Sequence, residues 1–249
     1  VIKKAISSFV QRCGYDIVRH ADYPADFEDL HIDIMNRVRP YTLTSHERLY
    51  SLIESVKYIL NNNINGAFLE CGVYKGGSMM AVALTLMAEG RADRDLYLYD
   101  TYEGMPAPDE RDVDVWGKSV MEDFSKKKIS DTSSTWTNAS LQDVKKAMAL
   151  TGYPMDKVFF VKGLVEDTLP GNAPESVALL RLDTDWYKST KHELEHLYPR
   201  LSPRGVMILD DYGHFKGAKQ AVDEYFYNSS MKPLLHRIDY TGRLVVKGV

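Results

Sequence analysis

Polar and apolar positions alternate along the chain in two rhythms. Short, largely apolar runs occupy residues 67–70, 96–99, 158–161, 177–182 and 206–209, the fourth interrupted only by Arg181. Runs of this length between polar and glycine-bearing turns predict buried strands. Between them, apolar residues recur at helical spacing. Leu49, Leu52, Ile53, Val56, Ile59 and Leu60 make one such face, and Thr44-Ser45-His46-Glu47 ahead of them reads as a capping box. Further helices are predicted over 79–89, 141–150, 189–201 and 217–226, with a short one over 28–38 ended by Pro40. Segments 234–238 and 243–246 flank Tyr240-Thr241-Gly242 and read as a terminal hairpin. Strands alternating with helices predict an α/β fold with a mostly parallel sheet and right-handed crossovers. The hairpin completes seven strands and places an antiparallel strand at or near one edge.

Two stretches lack either rhythm. Residues 1–43 mix charge, Pro24 and aromatics, with 19–27 reading as loop, and form an N-terminal extension or lid. Residues 102–140 are rich in Asp, Pro, Ser and Thr. An irregular segment of that length inside a compact domain is usually functional or disordered. It is read as an insertion over 104–140 that forms a lid, with a helix near 117–127. No repeat or low-complexity linker divides the chain, so 1–249 reads as a single domain.

Composition narrows the partners. A net charge of −4 and a pI near 6.0 supply no strong field for nucleic acid or an anionic membrane. A small molecule is the expected partner. No apolar run approaches the ~18 residues of a membrane span. Cys13 and Cys71 are too few for a disulfide framework. Together with the lack of a visible signal peptide they suit a reducing, cytoplasmic setting.

Ligands of open α/β sheets bind beyond the carboxyl ends of the strands. The first strand delivers Glu70-Cys71-Gly72-Val73-Tyr74-Lys75-Gly76-Gly77-Ser78 to that edge, and the second delivers Asp100. Glycines let backbone approach a ligand, and the helix that follows offers free N–H groups to a carboxylate. An acid at the second strand end can accept hydrogen bonds from both hydroxyls of a ribose. A dinucleotide or S-adenosylmethionine would satisfy this pattern. The spacing G-x-x-x-G-G does not match the dinucleotide motif G-x-G-x-x-G, and the closing hairpin favours the methyltransferase sheet.

The fourth strand ends at Asp183-Thr184-Asp185 and the fifth at Asp210-Asp211. Carboxylates crowded at neighbouring strand ends repel one another unless a cation lies among them. Oxygen ligands suit a hard ion such as Mg²⁺. A metal can stabilise an alkoxide as it stabilises hydroxide, and a carboxylate that is not a ligand can take the proton. Capping of the next helix would explain Asp185 equally well.

Residues 70–78, Asp100-Thr101-Tyr102-Glu103-Gly104-Met105-Pro106, 180–187 and 209–214 together resemble the macrocin O-methyltransferase family, the sugar methyltransferases of macrolide and aminocoumarin antibiotic pathways. The resemblance runs from about Tyr41 to Val246. It implies a Rossmann-like class I methyltransferase fold, S-adenosylmethionine as donor, Mg²⁺ as metal and a sugar or glycoside as acceptor. It assigns Asp183, Asp210 and Asp211 to the metal and Asp185 to the general base. Glu70, Gly72, Tyr74, Ser78, Asp100 and Thr101 fall on the donor loops, and Gly163 to Glu166 near the adenine. It also implies a homo-oligomer, dimeric or larger.

Other residues have competing readings. His192-Glu193 and His196 spell H-E-x-x-H, but both histidines fall off the apolar face of their helix, so they are expected to be exposed. His214 reads either as a substrate contact or as a helix-entry residue. Trp116 and Trp136 either stack on a sugar or anchor the lid. His46 and Glu47 would line an acceptor pocket or cap a helix. Asp183-Thr184-Asp185 also resembles the D-x-D clamp of a metal-dependent glycosyltransferase, and a catechol is an alternative acceptor for the same carboxylates. A non-catalytic binding protein on the same scaffold is a third reading.

Overall fold

The structure, a computed structural model, describes residues 23–229 and 232–248. Cys13 and the first half of the N-terminal extension lie outside the described residues. The elements run α1 (Asp29–Val38), a 3-10 turn (Arg39–Tyr41), α2 (His46–Asn61), β1 (Ala67–Cys71), α3 (Gly77–Ala88), β2 (Leu96–Asp100), α4 (Met121–Lys127), α5 (Leu141–Ala149), β3 (Val158–Lys162), α6 (Val165–Thr168), β4 (Val177–Leu182), α7 (Tyr187–Leu197), β5 (Leu201–Leu209), α8 (Lys216–Asn228), β6 (His236–Arg237) and β7 (Arg243–Val246). One seven-stranded sheet has the order β3-β2-β1-β4-β5-β7-β6. Strands β1 to β5 are parallel, and β7 runs antiparallel between β5 and β6.

Side-chain alternation along each strand feeds two cores. Phe68, Leu179, Val206 and Ile208 face α1, α2, α3 and α5, whereas Leu69, Leu180, Met207 and Leu209 face α6, α7 and α8. Strand order reverses between β1 and β4, the position at which such sheets open a crevice. Beyond that point the sheet hydrogen bonds run on: the Asp183 N–H donates to Cys71 O and the Asp210 N–H to Leu182 O, both within 3.0 Å. The acid loops therefore hang directly on the hydrogen-bonded centre of the sheet. Among the described residues no helix is long and apolar enough to cross a membrane.

Three of the boundaries that differ from the sequence reading have a direct physical cause. The cap of α2 is Ser45 rather than Thr44, and its Oγ accepts the Arg48 N–H at 3.2 Å, so the capping box with Glu47 does not form. Thr44 is drawn instead to Arg181. Strand β5 begins at Leu201, because the expected helix gives way after Leu197 to a 3-10 turn containing Pro199. The helix expected near 117–127 begins at Met121, after the hairpin-like bridge Val113–Ser119 has used the preceding residues.

Candidate active site

One cavity of about 450 Å³ opens at the carboxyl edge of the sheet. Gly72, Tyr74, Ser78, Asp100, Thr101, Gly163, Glu166, Asp183, Asp185, Asp210 and Asp211 all line it. Glu70 does not. It lies behind the wall, 1% exposed, paired with Arg181.

At one end of the cavity, residues 72–76 turn tightly. Gly72 has φ +82, and a Cβ on it would lie 2.0 Å from Asp183 O, so only glycine lets the ends of β1 and β4 meet. Asp100 ties this turn to the second strand end. Its Oδ2 accepts the Val73 and Tyr74 N–H groups at 2.7 and 3.0 Å, and its Oδ1 accepts that of Tyr102 at 2.6 Å. Burial raises the Asp100 pKa against these donors. A carboxylate has about four lone-pair sites; the fourth is met only by the Thr101 hydroxyl at 3.4 Å, whose nearer acceptor is Gly104 O at 2.7 Å, so a ribose hydroxyl can compete for it. Gly163 donates its N–H to Asp100 O, and Glu166 sits on α6 beside it.

Acid dominates the other end. Oxygens of Asp183, Asp185 and Asp211 all lie within 4.8 Å of one another. Asp185 stands at φ +68, in a three-residue turn closed by the Trp186 N–H on Thr184 O at 2.8 Å. A non-glycine residue held there stores strain, which collects at functional sites. Burial pushes the Asp185 carboxyl up to about 7, while its contact with Asp211 works the other way. Burial and then the Asp185 charge raise Asp211, and burial raises Asp183 despite Arg181. Asp211 Oδ2 is buried with no hydrogen-bond partner.

Two guanidinium groups sit under this cluster. Arg181 reaches Glu70, Asp183 and Asp210, and donates to Thr44 Oγ1 at 3.1 Å. Burial alone would lower the Arg181 pKa, but Asp183, Asp210 and Glu70 outweigh it and raise it. Arg48, on α2, pairs with Asp210 and with Asp239 at 3.0 Å. Asp210 is thus neutralised by two arginines, while Asp183, Asp185 and Asp211 together meet one. That residual negative charge, with the orphaned Asp211 oxygen, fits a hard cation coordinated by oxygen.

Sequence reasoning missed Arg48, Tyr41 to Thr44 and Tyr240-Thr241 as cavity-lining residues. An arginine alone in an otherwise apolar strand was the available signal for Arg181. His214 lines the cavity and also closes the entry to α8, with its N–H on Asp211 O at 2.9 Å. Trp136 packs edge-on against Trp186 and anchors segment 104–140, whereas Trp116 is 78% exposed beside His214. His46 and Glu47 do not line the cavity; His46 instead meets Arg39 at 2.7 Å. His192 and His196 are half-buried rather than exposed. Glu193 turns away from them into the core, where it accepts from Thr184 Oγ1 at 2.9 Å, so the three side chains do not form a zinc-protease site.

A parallel sheet with one reversed strand near its end, a glycine turn tied to an acid at the switch point and carboxylates on the next two strands define a class I O-methyltransferase. The solved structure of the O-methyltransferase NovP superposes with a TM-score of 0.73 at 27% identity, covering 84% of this chain and 83% of that one. The model of the family described as Macrocin-O-methyltransferase (TylF) matches residues 14–247, and the chain belongs to that family. It is 32% identical over 204 residues to the 8-demethyl-8-(2,3-dimethoxy-alpha-L-rhamnosyl)-tetracenomycin-C 4'-O-methyltransferase of Streptomyces olivaceus, covering 81% of this chain and 74% of the relative. It is 30% identical over 202 residues to the Mycinamicin III 3''-O-methyltransferase of Micromonospora griseorubida, covering 81% and 76%. Membership removes the glycosyltransferase reading of Asp183-Thr184-Asp185.

Proposed function

We propose that the protein transfers the methyl group of S-adenosylmethionine to a sugar hydroxyl of a glycosylated natural product, with Mg²⁺ in the acid cluster. The observation that carries this reading is one cavity with the 72–76 turn and Asp100 at one end and Asp183, Asp185 and Asp211 at the other. The relatives named for methylating a rhamnosyl compound and mycinamicin III support the sugar acceptor.

Gly72, Tyr74, Ser78, Asp100 and Thr101 hold the donor, with Gly163 and Glu166 beside its adenine. Asp183, Asp210 and Asp211 would hold Mg²⁺: Asp211 offers its unpartnered Oδ2, Asp183 keeps lone pairs beside Arg181, and Asp210, outside the group of oxygens within 4.8 Å, would have to share its oxygens with Arg48 and Arg181. Bound there, the ion would supply Lewis acidity that favours the ionised acceptor hydroxyl. Asp185 takes the hydroxyl proton. The oxygen attacks the methyl carbon, the carbon–sulfur bond breaks, and its electron pair leaves on S-adenosylhomocysteine. Arg48 and Arg181 fix Asp210 and Glu70, so the acids need not reorganise during the reaction.

The test is methyl transfer from isotope-labelled S-adenosylmethionine to mycinamicin III and to rhamnosyl glycosides, read by mass spectrometry. Label on the sugar, lost with EDTA and restored by Mg²⁺, is the expected result. Label on a catechol but on no glycoside would overturn the acceptor class.

A further inference from the structure

Residues 104–140 reach the reaction centre through a buried acid that methyl transfer does not use. Asp112 is 1% exposed. Its Oδ1 accepts the N–H of Tyr187, the first residue of α7, and its Oδ2 accepts the Asp109 N–H, both at 2.8 Å. The same Oδ1 occupies the space beside Gly217 at the start of α8, where a Cβ would lie 2.0 Å from it. One carboxylate therefore sits at the N-termini of both helices that leave the acid loops, α7 just past Asp185 and α8 just past Asp211. Helix N-termini favour negative charge, which offsets part of the cost of burying it.

Neighbouring contacts follow the same route. Trp186 Nε1 donates to Pro106 O at 3.0 Å, and the Lys216 N–H donates to Val113 O at 2.9 Å. The Arg111 guanidinium lies over the Tyr187 ring, 3.7 Å from its centroid, and the Tyr187 hydroxyl donates to Glu224 Oε2 on α8 at 2.7 Å. Segment 106–113 is thus bonded to the loop carrying Asp185 and to the loop carrying Asp211. The left-handed turn at Asp185 needs such support, because a strained conformation persists only where its surroundings over-determine it.

We propose that Asp112 is a positioning residue whose carboxylate couples the docking of segment 104–117 to the placement of Asp185 and Asp211. The inference rests on the reading of those two acids as reaction-centre carboxylates. Docking of the segment over the cavity then completes the acid geometry, and its release relaxes both loops together. A purely local role, closing the turn from Asp109 to Asp112, would leave both helix starts unaffected.

Hydrogen–deuterium exchange on the full chain without metal separates the two. Asp112→Ala is expected to speed exchange about tenfold or more in peptides over 183–190 and also over 211–219, with β1 and α3 unchanged. Asp112→Asn should recover most of the protection over 183–190, because the amide oxygen can still accept from Tyr187. Gly217→Ala displaces the carboxylate without removing it and should reproduce the Asp112→Ala pattern, which covers the case in which Asp112→Ala does not fold. In parallel, Mn²⁺ titrated as the probe cation should bind Asp112→Ala about 10–100-fold more weakly than the wild type, as on loss of an outer partner of metal ligands. S-adenosylhomocysteine affinity should fall by less than Mn²⁺ affinity does, since Asp112 does not itself line the cavity. Faster exchange confined to 104–117, no recovery in Asp112→Asn, or unchanged exchange in both loops would overturn the coupling. A wild type that binds neither Mn²⁺ nor S-adenosylhomocysteine would refute the proposed function instead, and the exchange comparison would still decide the coupling.

Discussion

Asp185 carries the sharpest consequence at the residue scale. If it takes the acceptor proton, Asp185→Asn should lower kcat by about 10²–10⁴-fold, the usual contribution of a general base, while S-adenosylhomocysteine affinity stays within about twofold. Steady-state kinetics beside calorimetry read both, and unchanged kcat would remove the assignment. A second consequence concerns pH. Burial holds Glu70 and Asp185 near 7, above the ordinary 4.5 and 3.8. Between about pH 4 and 7 the folded state therefore binds more protons than the unfolded chain, so stability without metal falls as pH rises through that window. Urea midpoints in EDTA should drop from pH 5 to pH 7.5, and Asp185→Asn should flatten the drop. A midpoint that rises with pH in both proteins would contradict it. The acids themselves were legible in the sequence, because each ends a predicted strand. The arginine pairings were not, because Arg48 sits on a helix remote in sequence and only the fold brings it to Asp210 and Asp239. Asp112 was hidden for the same reason, its partner Tyr187 being far along the chain.

At the scale of elements, the junction of β1 with β4 controls the donor end. Gly72→Ala would put a Cβ on Asp183 O at a left-handed φ of +82. The β1 and β4 ends would have to separate, so donor affinity should fall by at least about tenfold while the far edge of the sheet keeps its protection from exchange. Calorimetry with S-adenosylhomocysteine checks this, and unchanged affinity would show that the close approach is dispensable. Apolar rhythm found the parallel strands and nearly every helix, most clearly β1 and β4, which are buried on both faces; the exposed β6 and half-buried β7 were found instead from the turn at Tyr240-Thr241-Gly242. It was weakest at termini. Thr44 and Ser45 are equally good caps, and the choice between them is made by distant partners: Arg181 takes Thr44, and Asp239 accepts from the Ser45 hydroxyl at 2.8 Å. Segment 104–140 gave no periodic signal because few of its residues face a core; Val120, Phe124 and Trp136 anchor it, with most of the rest exposed.

For the whole molecule, the proposed function divides one cavity into two halves with separable chemistry. The proposed donor cradle is built from backbone and Asp100 at the ends of β1, β2 and β3, and the acid cluster from the ends of β4 and β5. No metal-directed side chain belongs to the donor cradle, so metal should matter to the acceptor and not to the donor. The most direct measurement is calorimetric titration of S-adenosylhomocysteine into the purified protein, once with Mg²⁺ and once with EDTA. Binding in both, with affinities within about threefold of each other, is the predicted result. No binding in either condition would contradict the donor site, and with it the central claim that the carboxyl edge of this sheet is a methyl-transfer site.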